Sequence, residues 1–457
     1  MGWYDSLYAH LPVWGQNAAV SAYGLYWHWL RFGGKYKEWE TGYRNREFLT
    51  ASEWSAYTKI QLQTLVDIAS KNVPYYRRTW DTEQIRAALD GNILALPLLE
   101  KDPVRNNARD FIRQDQNIKY WTSYTSGSTG TPIASFWTAE EIRDSLAVRE
   151  VRSANWAGVS FKYPRATFSG RMVEPNPNSS GPFYRFNIVE RQVYFSPFHL
   201  RKETAHYYVD ALRRHKIQWM TGYAVSYYLL AKFILENELE VPKLKAVVTT
   251  SEKVTPDMRA VMEKAYHCRV YEEYSTVENA LFVSECEHGR LHVSPDVGIV
   301  EILRPDGSPC DPGEAGEVVT TCLMRTFQPM IRYRLGDLAA WDSTPCSCGR
   351  SMPVIKEVVG RLEDVVVGPD GRQMVRFHGI FVNQPHVIEG QIIQESLDFI
   401  RVKIIPTDNF NEADRVDVIH RVQQRLGQGV RVVVDLVPEI PRTKAGKFKA
   451  VISNIKQ

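Results

Sequence analysis

The sequence predicts an α/β protein with a large N-terminal domain of mixed and parallel sheets, which includes a β-rich subdomain, and a small α+β C-terminal domain. A buried-type strand at Ala246–Thr250, a helix at Pro256–Tyr266 and a strand at Val270–Tyr274 follow one another. This order is typical of parallel strand–helix–strand units. From Val297 to Trp341, Gly, Pro and Asp turns separate short strands such as Glu317–Thr321, which indicates the β-rich subdomain.

The two ends of the chain complete this organisation. The chain has 457 residues, which suits a large domain beside a smaller one. Residues 1–100 are expected to be mostly helical. Within them, residues 50–77 predict a helix, because apolar residues recur near helical spacing from Leu62 to Ile68, and Pro74 is expected to end it.

The last hundred residues predict a compact unit. It contains a strand at Phe399–Ile405, a helix at Glu412–Leu426 and a strand at Val430–Leu436. We place the domain boundary near Glu363, with residues 1–362 in the large domain and 363–457 in the small one.

Composition excludes several classes of partner. The formal net charge is +3, and Lys and Arg are scattered, so no nucleic-acid partner is indicated. No apolar run is long enough to cross a bilayer and no secretory signal is visible, so a cytoplasmic protein is expected. The aromatic-rich segment Trp14–Phe32 could lie on a membrane surface, but its sparse basic residues favour a helix packed on the large domain.

A glycine-rich loop is the strongest local signal. Tyr124-Thr-Ser-Gly-Ser-Thr-Gly-Thr-Pro132 lies between predicted strands at Tyr120–Tyr124 and Ala134–Trp137. Its glycines allow a tight turn that brings backbone N–H groups near phosphate oxygens, and its hydroxyls add donors. It lacks the Gly-Lys-Ser/Thr sequence of nucleotide-hydrolase P-loops. The residues predicted to contact phosphate are Thr125, Ser126, Gly127, Ser128, Thr129 and Gly130.

Four further motifs follow the loop in order. They are Tyr274-Ser-Thr-Val-Glu278, Tyr333-Arg-Leu-Gly-Asp337, Gly360-Arg-Leu-Glu-Asp364 and Pro441-Arg-Thr-Lys-Ala-Gly-Lys447. Together the five resemble the motif set of the adenylate-forming acyl/aryl-CoA ligase superfamily, and most of all the phenylacetate-CoA ligase family and its capsule-biosynthesis relatives. The resemblance spans roughly residues 62–447, most of the chain.

The resemblance implies ATP and Mg²⁺ as reactants and assigns roles by position. Glu278 would help to hold Mg²⁺ on the ATP phosphates, because this hard cation prefers oxygen ligands. Tyr274 would stack on adenine, and Asp337 would accept hydrogen bonds from both ribose hydroxyls. Lys447 would neutralise charge that develops at the attacked phosphorus. Five more positions are implied near the nucleotide, namely Arg361 at ribose or phosphate, Ser251 and Glu252 beside adenine, and Ser275 and Thr276 near phosphate.

The implied reaction has two halves. A carboxylic acid attacks ATP to give acyl-AMP and pyrophosphate, and an acceptor then takes the acyl group. The small domain of the family turns between the halves, about a hinge expected here at Glu363 or Asp364. Coenzyme A is the leading acceptor, and an amine on a cell-surface polysaccharide precursor is the alternative. The oligomeric state stays open, a homodimer included.

Two departures from the family pattern affect the phosphate contacts. Val277 stands where a hydroxyl residue usually contacts the α-phosphate, although the adjacent Thr276 offers a substitute. Thr131 follows the second loop glycine, where a small or basic residue is usual. A non-catalytic scaffold with this fold is therefore a further alternative, against which the presence of Glu278, Asp337 and Lys447 argues.

Two cysteine-containing segments predict a structural zinc site. Cys286 and His292 offer a thiolate and an imidazole, and Cys346 and Cys348 form a close pair. Four such ligands fill a tetrahedral Zn²⁺ and leave no position for water. Some phenylacetate-CoA ligase relatives carry a similar set. His288 is the competing imidazole, and four unlinked residues in two turns are the alternative.

Overall fold

The computed structural model describes most of the chain. The described residues are 8–125, 133–169, 171, 173–174, 176, 179–361, 366–369, 373–374, 380–381, 384–441 and 448–455, with the backbone alone for Arg361, Gln373 and Met374.

The first hundred residues are mostly helical, as expected. Their helices are α1 Val13–Phe32, α2 Tyr36–Asn45, α3 Ala51–Asn72, α4 Pro74–Thr79, α5 Thr82–Leu89 and α6 Lys101–Asn106. The predicted helix over 50–77 is therefore two helices. Thr50 caps α3 in a capping box with Glu53, and Pro74 begins α4 instead of ending the run. Proline fits this first helical position because the N–H that it lacks has no partner there.

A single sheet of twelve strands forms the centre of the large domain. Its strands are β3 Arg165–Phe168, β4 Tyr184–Asn187, β5 Gln192–Phe195, β6 Trp219–Tyr223, β7 Ala246–Thr250, β8 Arg269–Ser275, β9 Phe282–Glu285, β10 Leu291–Val293, β11 Gly298–Leu303, β12 Ala315–Cys322, β13 Tyr333–Asp342 and β14 Val354–Arg361. Their spatial order is β11-β12-β13-β14-β10-β9-β8-β7-β6-β3-β5-β4.

One part of this sheet is parallel, and the remaining strand pairs are antiparallel. Strands β5, β3, β6, β7 and β8 pair in parallel, and the predicted unit β7–helix–β8 is confirmed. The helices of the parallel part are α7 Ala139–Arg149, α8 Ala205–Arg214, α9 Ala224–Glu236 and α10 Pro256–Tyr266. The predicted β-rich region corresponds to β11–β13, which continue the same sheet through β14 and β10.

Among the described residues, the two largest apolar cores lie against this sheet. One joins α3–α6 to the antiparallel strands and includes Leu62, Val66 and Met330. The other joins the parallel strands to α8–α10 and includes Met220 and Leu230. A separate hairpin, β1 Tyr120–Tyr124 and β2 Ala134–Thr138, carries the glycine-rich loop, as predicted.

Helix α1 packs on the large domain, as favoured by the sequence. Asn17 accepts a hydrogen bond from the backbone N–H of Phe186 at 2.9 Å, and Gly24 lies directly against Asn187 of β4. The outer face of α1 exposes Trp14 and Trp29. Among the described residues, no helix combines the length and the apolar character that a membrane span requires.

The small domain has the predicted α+β form. Its described elements are β15 Val366–Val367, β16 Gln373–Met374, β17 Val387–Ser396, β18 Phe399–Pro406, α11 Glu412–Leu426, β19 Arg431–Leu436 and β20 Val451–Ser453. Four of the strands form a sheet in the order β19-β18-β17-β20. The apolar face of α11, with Val418, Val422 and Leu426, packs in one core with strand residues such as Ile400 and Val402. The predicted boundary and hinge, Glu363 and Asp364, lie outside the described residues.

Candidate functional site

The predicted nucleotide-binding segments meet at one edge of the sheet. Strands β6, β7 and β8 are parallel, with Tyr223 opposite Thr250 and Thr250 opposite Glu273. Their carboxyl ends therefore lie side by side, which is where α/β proteins commonly bind ligands. The Ser251–Glu252 and Tyr274–Glu278 segments lie at the ends of β7 and β8, beside the β6 end that carries Gly222 and Tyr223.

Close packing at this edge requires a glycine. Gly222 has φ +138°, and a Cβ there would lie 2.0 Å from the carbonyl oxygen of Phe168 on β3. Only glycine tolerates both constraints. Next to it, Ser251 has φ +69° and turns the chain after β7.

Asp337 and Tyr274 come from different motifs and touch. The Tyr274 hydroxyl donates a hydrogen bond to Oδ2 of Asp337 at 2.8 Å. Asp337 is also the direct cross-strand partner of Arg361 on β14. Three residues with predicted roles at the nucleotide therefore converge, and the Tyr274 hydroxyl orients the Asp337 carboxylate.

Glu278 ends the same motif as Tyr274 and is nearly inaccessible. Its side chain is buried, and the Tyr333 hydroxyl lies 3.4 Å from its Oε1 atom. The backbone carbonyl of Glu278 accepts a hydrogen bond from Nη1 of Arg325 at 2.8 Å. A carboxylate held in this way can offer oxygen to a divalent cation with little rearrangement.

The hydroxyl groups of Ser275 and Thr276 form hydrogen bonds within the turn that precedes Glu278. The Ser275 hydroxyl donates within the turn, to Oδ1 of Asn279 at 2.9 Å and to the Leu281 carbonyl at 3.0 Å. The Thr276 hydroxyl accepts from the Ala280 N–H at 3.4 Å and keeps its own proton for donation. Thr276 is thus the better candidate to replace the hydroxyl absent at Val277.

The glycine-rich loop is described at its two ends. The Thr125 N–H donates to the Ile133 carbonyl at 3.1 Å, and the Ile133 N–H donates to Oγ1 of Thr125 at 2.9 Å. Thr125 therefore closes the base of the loop. The predicted phosphate contacts Ser126, Gly127, Ser128, Thr129 and Gly130 lie outside the described residues, as do Thr131 and Lys447.

Sequence reasoning missed Arg325, which connects this loop to Glu278. Its fully buried guanidinium donates to Oγ of Ser135 at 2.8 Å, to the Glu278 carbonyl and to the Phe136 carbonyl. It also stacks over the Trp137 ring, with Cζ 4.0 Å from the ring centre. The available signal was an arginine inside the otherwise mainly apolar run from Leu323 to Ile331, because buried arginines need partners.

Gln328 from the same connection binds β2 as well. Its Oε1 atom accepts from the Phe136 N–H at 2.8 Å, and its Nε2 atom donates to the Ala134 carbonyl at 3.1 Å. The strand that leaves the glycine-rich loop is therefore held in place by the segment between β12 and β13.

The four predicted metal ligands are close together. The ligand atoms of Cys286, His292, Cys346 and Cys348 all lie within 4.8 Å of one another. The turn after β9 supplies Cys286, β10 supplies His292, and the connection from β13 to β14 supplies the other two. His288 lies outside this group, and its Nδ1 atom is 2.9 Å from the Ser347 hydroxyl.

The spacing of these atoms fits a tetrahedral zinc ion. The sulfurs of Cys286 and Cys346 are 3.7 Å apart, and the Cys348 sulfur is 3.4 Å from Nε2 of His292. Zinc bonds of about 2.3 Å to sulfur and about 2.0 Å to nitrogen give tetrahedral edges of about 3.8 and 3.5 Å. The chemistry and the spacing of the donors therefore both suit Zn²⁺.

The surroundings favour the metal-binding forms of two of these ligands, His292 and Cys348, whereas burial raises the pKa of Cys346 to about 12. Nδ1 of His292 lies 3.3 Å from the Met352 carbonyl, which leaves the Nε2 lone pair directed at the cluster. Burial lowers the pKa of His292 to about 4, so the imidazole is neutral. Burial would raise the pKa of Cys348, but hydrogen bonds from Arg350 outweigh it and lower the pKa, which favours the thiolate.

Comparison with known proteins gives relatives for the whole chain and for its parts. The model of the CapK C-terminal domain matches residues 367–454. Protein CapK of Staphylococcus aureus is 26% identical over 98% of this chain and 99% of its own length. The phenylacetate-coenzyme A ligase of Thermus thermophilus is 26% identical over 37% of this chain and 44% of its own.

Solved structures support the fold. A 2-hydroxyisobutyryl-CoA ligase in its postadenylation state, with R3-HIB-AMP, matches with a TM-score of 0.70 at 22% identity, over 90% of this chain and 92% of its own. The same ligase in the thioesterification state, with 2-HIB-AMP and CoA, matches with a TM-score of 0.56 at 23% identity, over 90% and 91%.

Proposed function

We propose that this chain, a homologue of CapK and of acyl-CoA ligases that has the adenylate-forming fold, is an AMP-forming ligase. It would activate a carboxylic acid as acyl-AMP and then transfer the acyl group to coenzyme A. One observation carries the proposal, namely the hydrogen bond from Tyr274 to Asp337, which joins two of the motifs, with Arg361 paired opposite Asp337.

In the first half-reaction, a carboxylate oxygen of the acid attacks the α-phosphorus of ATP. The bond from that phosphorus to the bridging oxygen breaks, and pyrophosphate leaves. Asp337 and Tyr274 would position the nucleoside, and Glu278 would ligate Mg²⁺, which neutralises phosphate charge when bound. Lys447 would stabilise charge developing at the phosphorus.

In the second half-reaction, the thiol of coenzyme A attacks the acyl carbonyl and releases AMP. The small domain would turn at Glu363 or Asp364 between the halves, which withdraws Lys447 and opens a route for the acceptor. The approach of Phe448, beside Lys447, to Glu252 of the large domain supports a first-half role for the small domain.

Acid-dependent exchange of pyrophosphate into ATP tests the first half directly. We expect exchange with at least one acid from a panel that starts with phenylacetate, 2-hydroxyisobutyrate and anthranilate. The exchange should require Mg²⁺. Absence of exchange over a wide panel would favour a scaffold without catalysis.

An amide-forming ligase is the second candidate. It is favoured by the match to CapK, which extends over nearly the whole of both chains. The name CapK points to capsule biosynthesis. The acyl group would then pass to an amine of a cell-surface polysaccharide precursor. Product analysis with amines supplied and coenzyme A omitted separates the two acceptors.

We also propose that Cys286, His292, Cys346 and Cys348 hold a structural Zn²⁺. All four positions would be filled by protein, so the ion would have no place for substrate or water. The cluster would connect the turn after β9 to the β13–β14 connection, and thereby support the sheet that carries Asp337.

A further inference from the structure

A carboxylate of the large domain binds the backbone of the small domain beside the proposed catalytic lysine. Oε1 of Glu252 accepts a hydrogen bond from the N–H of Phe448 at 3.1 Å. Its other oxygen, Oε2, accepts from the N–H of Val225 in the first turn of α9 at 2.8 Å. One side chain thus links two segments that are 223 residues apart in sequence.

The contact with Val225 presets the orientation of the carboxylate. Backbone N–H groups in the first turn of a helix have no partner within the helix and favour negative charge. With Oε2 held there, Oε1 remains directed toward the small domain. One oxygen of Glu252 is therefore held by the large domain.

Phe448 lies at the point where the backbone contacts change from the large domain to the small domain. From Lys449 onward the small domain holds the backbone, because Gln391 donates to the Lys449 carbonyl at 2.8 Å and the Ile392 N–H donates to the Ala450 carbonyl at 2.9 Å. The N–H of Phe448 binds Glu252 instead. This bond can break without loss of the small-domain sheet.

We propose that Glu252 is a positioning residue that holds the segment containing Lys447 at the large domain during adenylation and releases it for acyl transfer. Lys447 is covalently joined to Phe448, so anchoring the Phe448 amide limits where the lysine can reach. The proposal rests on the proposed ligase function. It gives Glu252 a role separate from contact with adenine.

The variant Glu252→Gln tests this with little change in shape. An amide offers one acceptor oxygen, so it cannot accept from both Val225 and Phe448. Loss of a hydrogen bond to a charged group is expected to slow pyrophosphate exchange by about tenfold or more. Transfer from supplied acyl-adenylate to coenzyme A should stay within about twofold of the native rate, and the loss in exchange should lie mainly in kcat and not in the KM for ATP.

Glu263→Gln is the matched control. Oε1 of Glu263 accepts from the Val270 N–H at 3.0 Å, entirely within the large domain. We expect both half-reactions to stay within about twofold in this variant. Three results for Glu252→Gln would overturn the proposal. They are an equal loss in both half-reactions, an unchanged rate of pyrophosphate exchange, and a raised KM for ATP with unchanged kcat.

Hydrogen exchange of the full chain gives a readout that needs no acid substrate. The amide of Phe448 should exchange faster in Glu252→Gln than in the native chain, and at the native rate in Glu263→Gln. If native protein shows no pyrophosphate exchange, the ligase proposal fails. The exchange rate of the Phe448 amide then still tests whether Glu252 binds this amide. An unchanged amide rate in Glu252→Gln would contradict the inference.

Discussion

At the scale of single residues, the hydrogen bond from Tyr274 to Asp337 joins two motifs that lie 63 positions apart. The tyrosine ring and its hydroxyl have separable tasks in the proposed site. The ring would stack on adenine, and the hydroxyl orients the carboxylate that would receive the ribose hydroxyls. Substitutions at the two positions should therefore affect ATP binding to different degrees.

We expect Tyr274→Phe to raise the KM for ATP by about fivefold, because one hydrogen bond worth about 1 kcal/mol is lost and the ring is kept. Asp337→Ala should raise it by about tenfold or more, since bonds to a charged acceptor contribute about 1.5–3 kcal/mol. Steady-state exchange kinetics measure both. Native KM values in both variants would show that this pair does not contact the nucleotide.

At the scale of elements, Arg325 joins the β12–β13 connection to β2 and to the Glu278 turn. The glycine-rich loop is followed by β2, and Arg325 fixes the separation between β2 and the Glu278 turn. The loop and Glu278 are both proposed to contact the triphosphate and its metal. A buried guanidinium with several backbone acceptors is a rigid connector, because lysine cannot reproduce its planar set of donors.

Arg325→Lys should lower kcat for pyrophosphate exchange by at least about tenfold, because misplacing the loop against Glu278 weakens the alignment of the phosphates. Arg332→Lys is the control, since Arg332 is a buried arginine of the same connection that pairs with Glu301 and the Leu96 carbonyl. It should lose stability without a comparable loss of kcat. If kcat follows thermal stability equally in both variants, Arg325 is structural only.

At the scale of the whole molecule, the cysteine–histidine cluster and the Glu252 contact join different parts of the chain. The cluster binds sheet elements that flank the site, namely the β9–β10 turn and the β13–β14 connection. A metal there would stabilise the large domain by restricting its unfolded chain and would not react. The Glu252 contact concerns the position of the small domain.

Native protein prepared without chelators should contain about one zinc ion per chain. Cys346→Ser and Cys348→Ser should lose zinc and thermal stability together, while the folded fraction still exchanges pyrophosphate. Cys310→Ser, at a buried cysteine outside the cluster, should keep its zinc. Metal analysis and thermal unfolding check this, and zinc-free native protein would refute the site.

The sequence by itself determined the local elements and named the candidate residues of the site. Helix α11 has the predicted bounds, and the strand–helix–strand unit of β7, α10 and β8 was predicted to within one residue at each end. The periodic spacing of apolar residues predicts these elements because each buries one face of a regular backbone. The four metal-ligand candidates were identified from residue types and spacing in the same way, and the structure brings them together.

Only the tertiary structure decided which side chains meet across long separations. The partners of Arg325, the contact of Tyr333 with Glu278 and the bond from Phe448 to Glu252 join segments that are 47 to 196 residues apart. The spacing of apolar residues along the sequence does not predict such pairs. They depend on the strand order of the sheet, which places distant segments side by side, and on the need of each buried polar group for a partner.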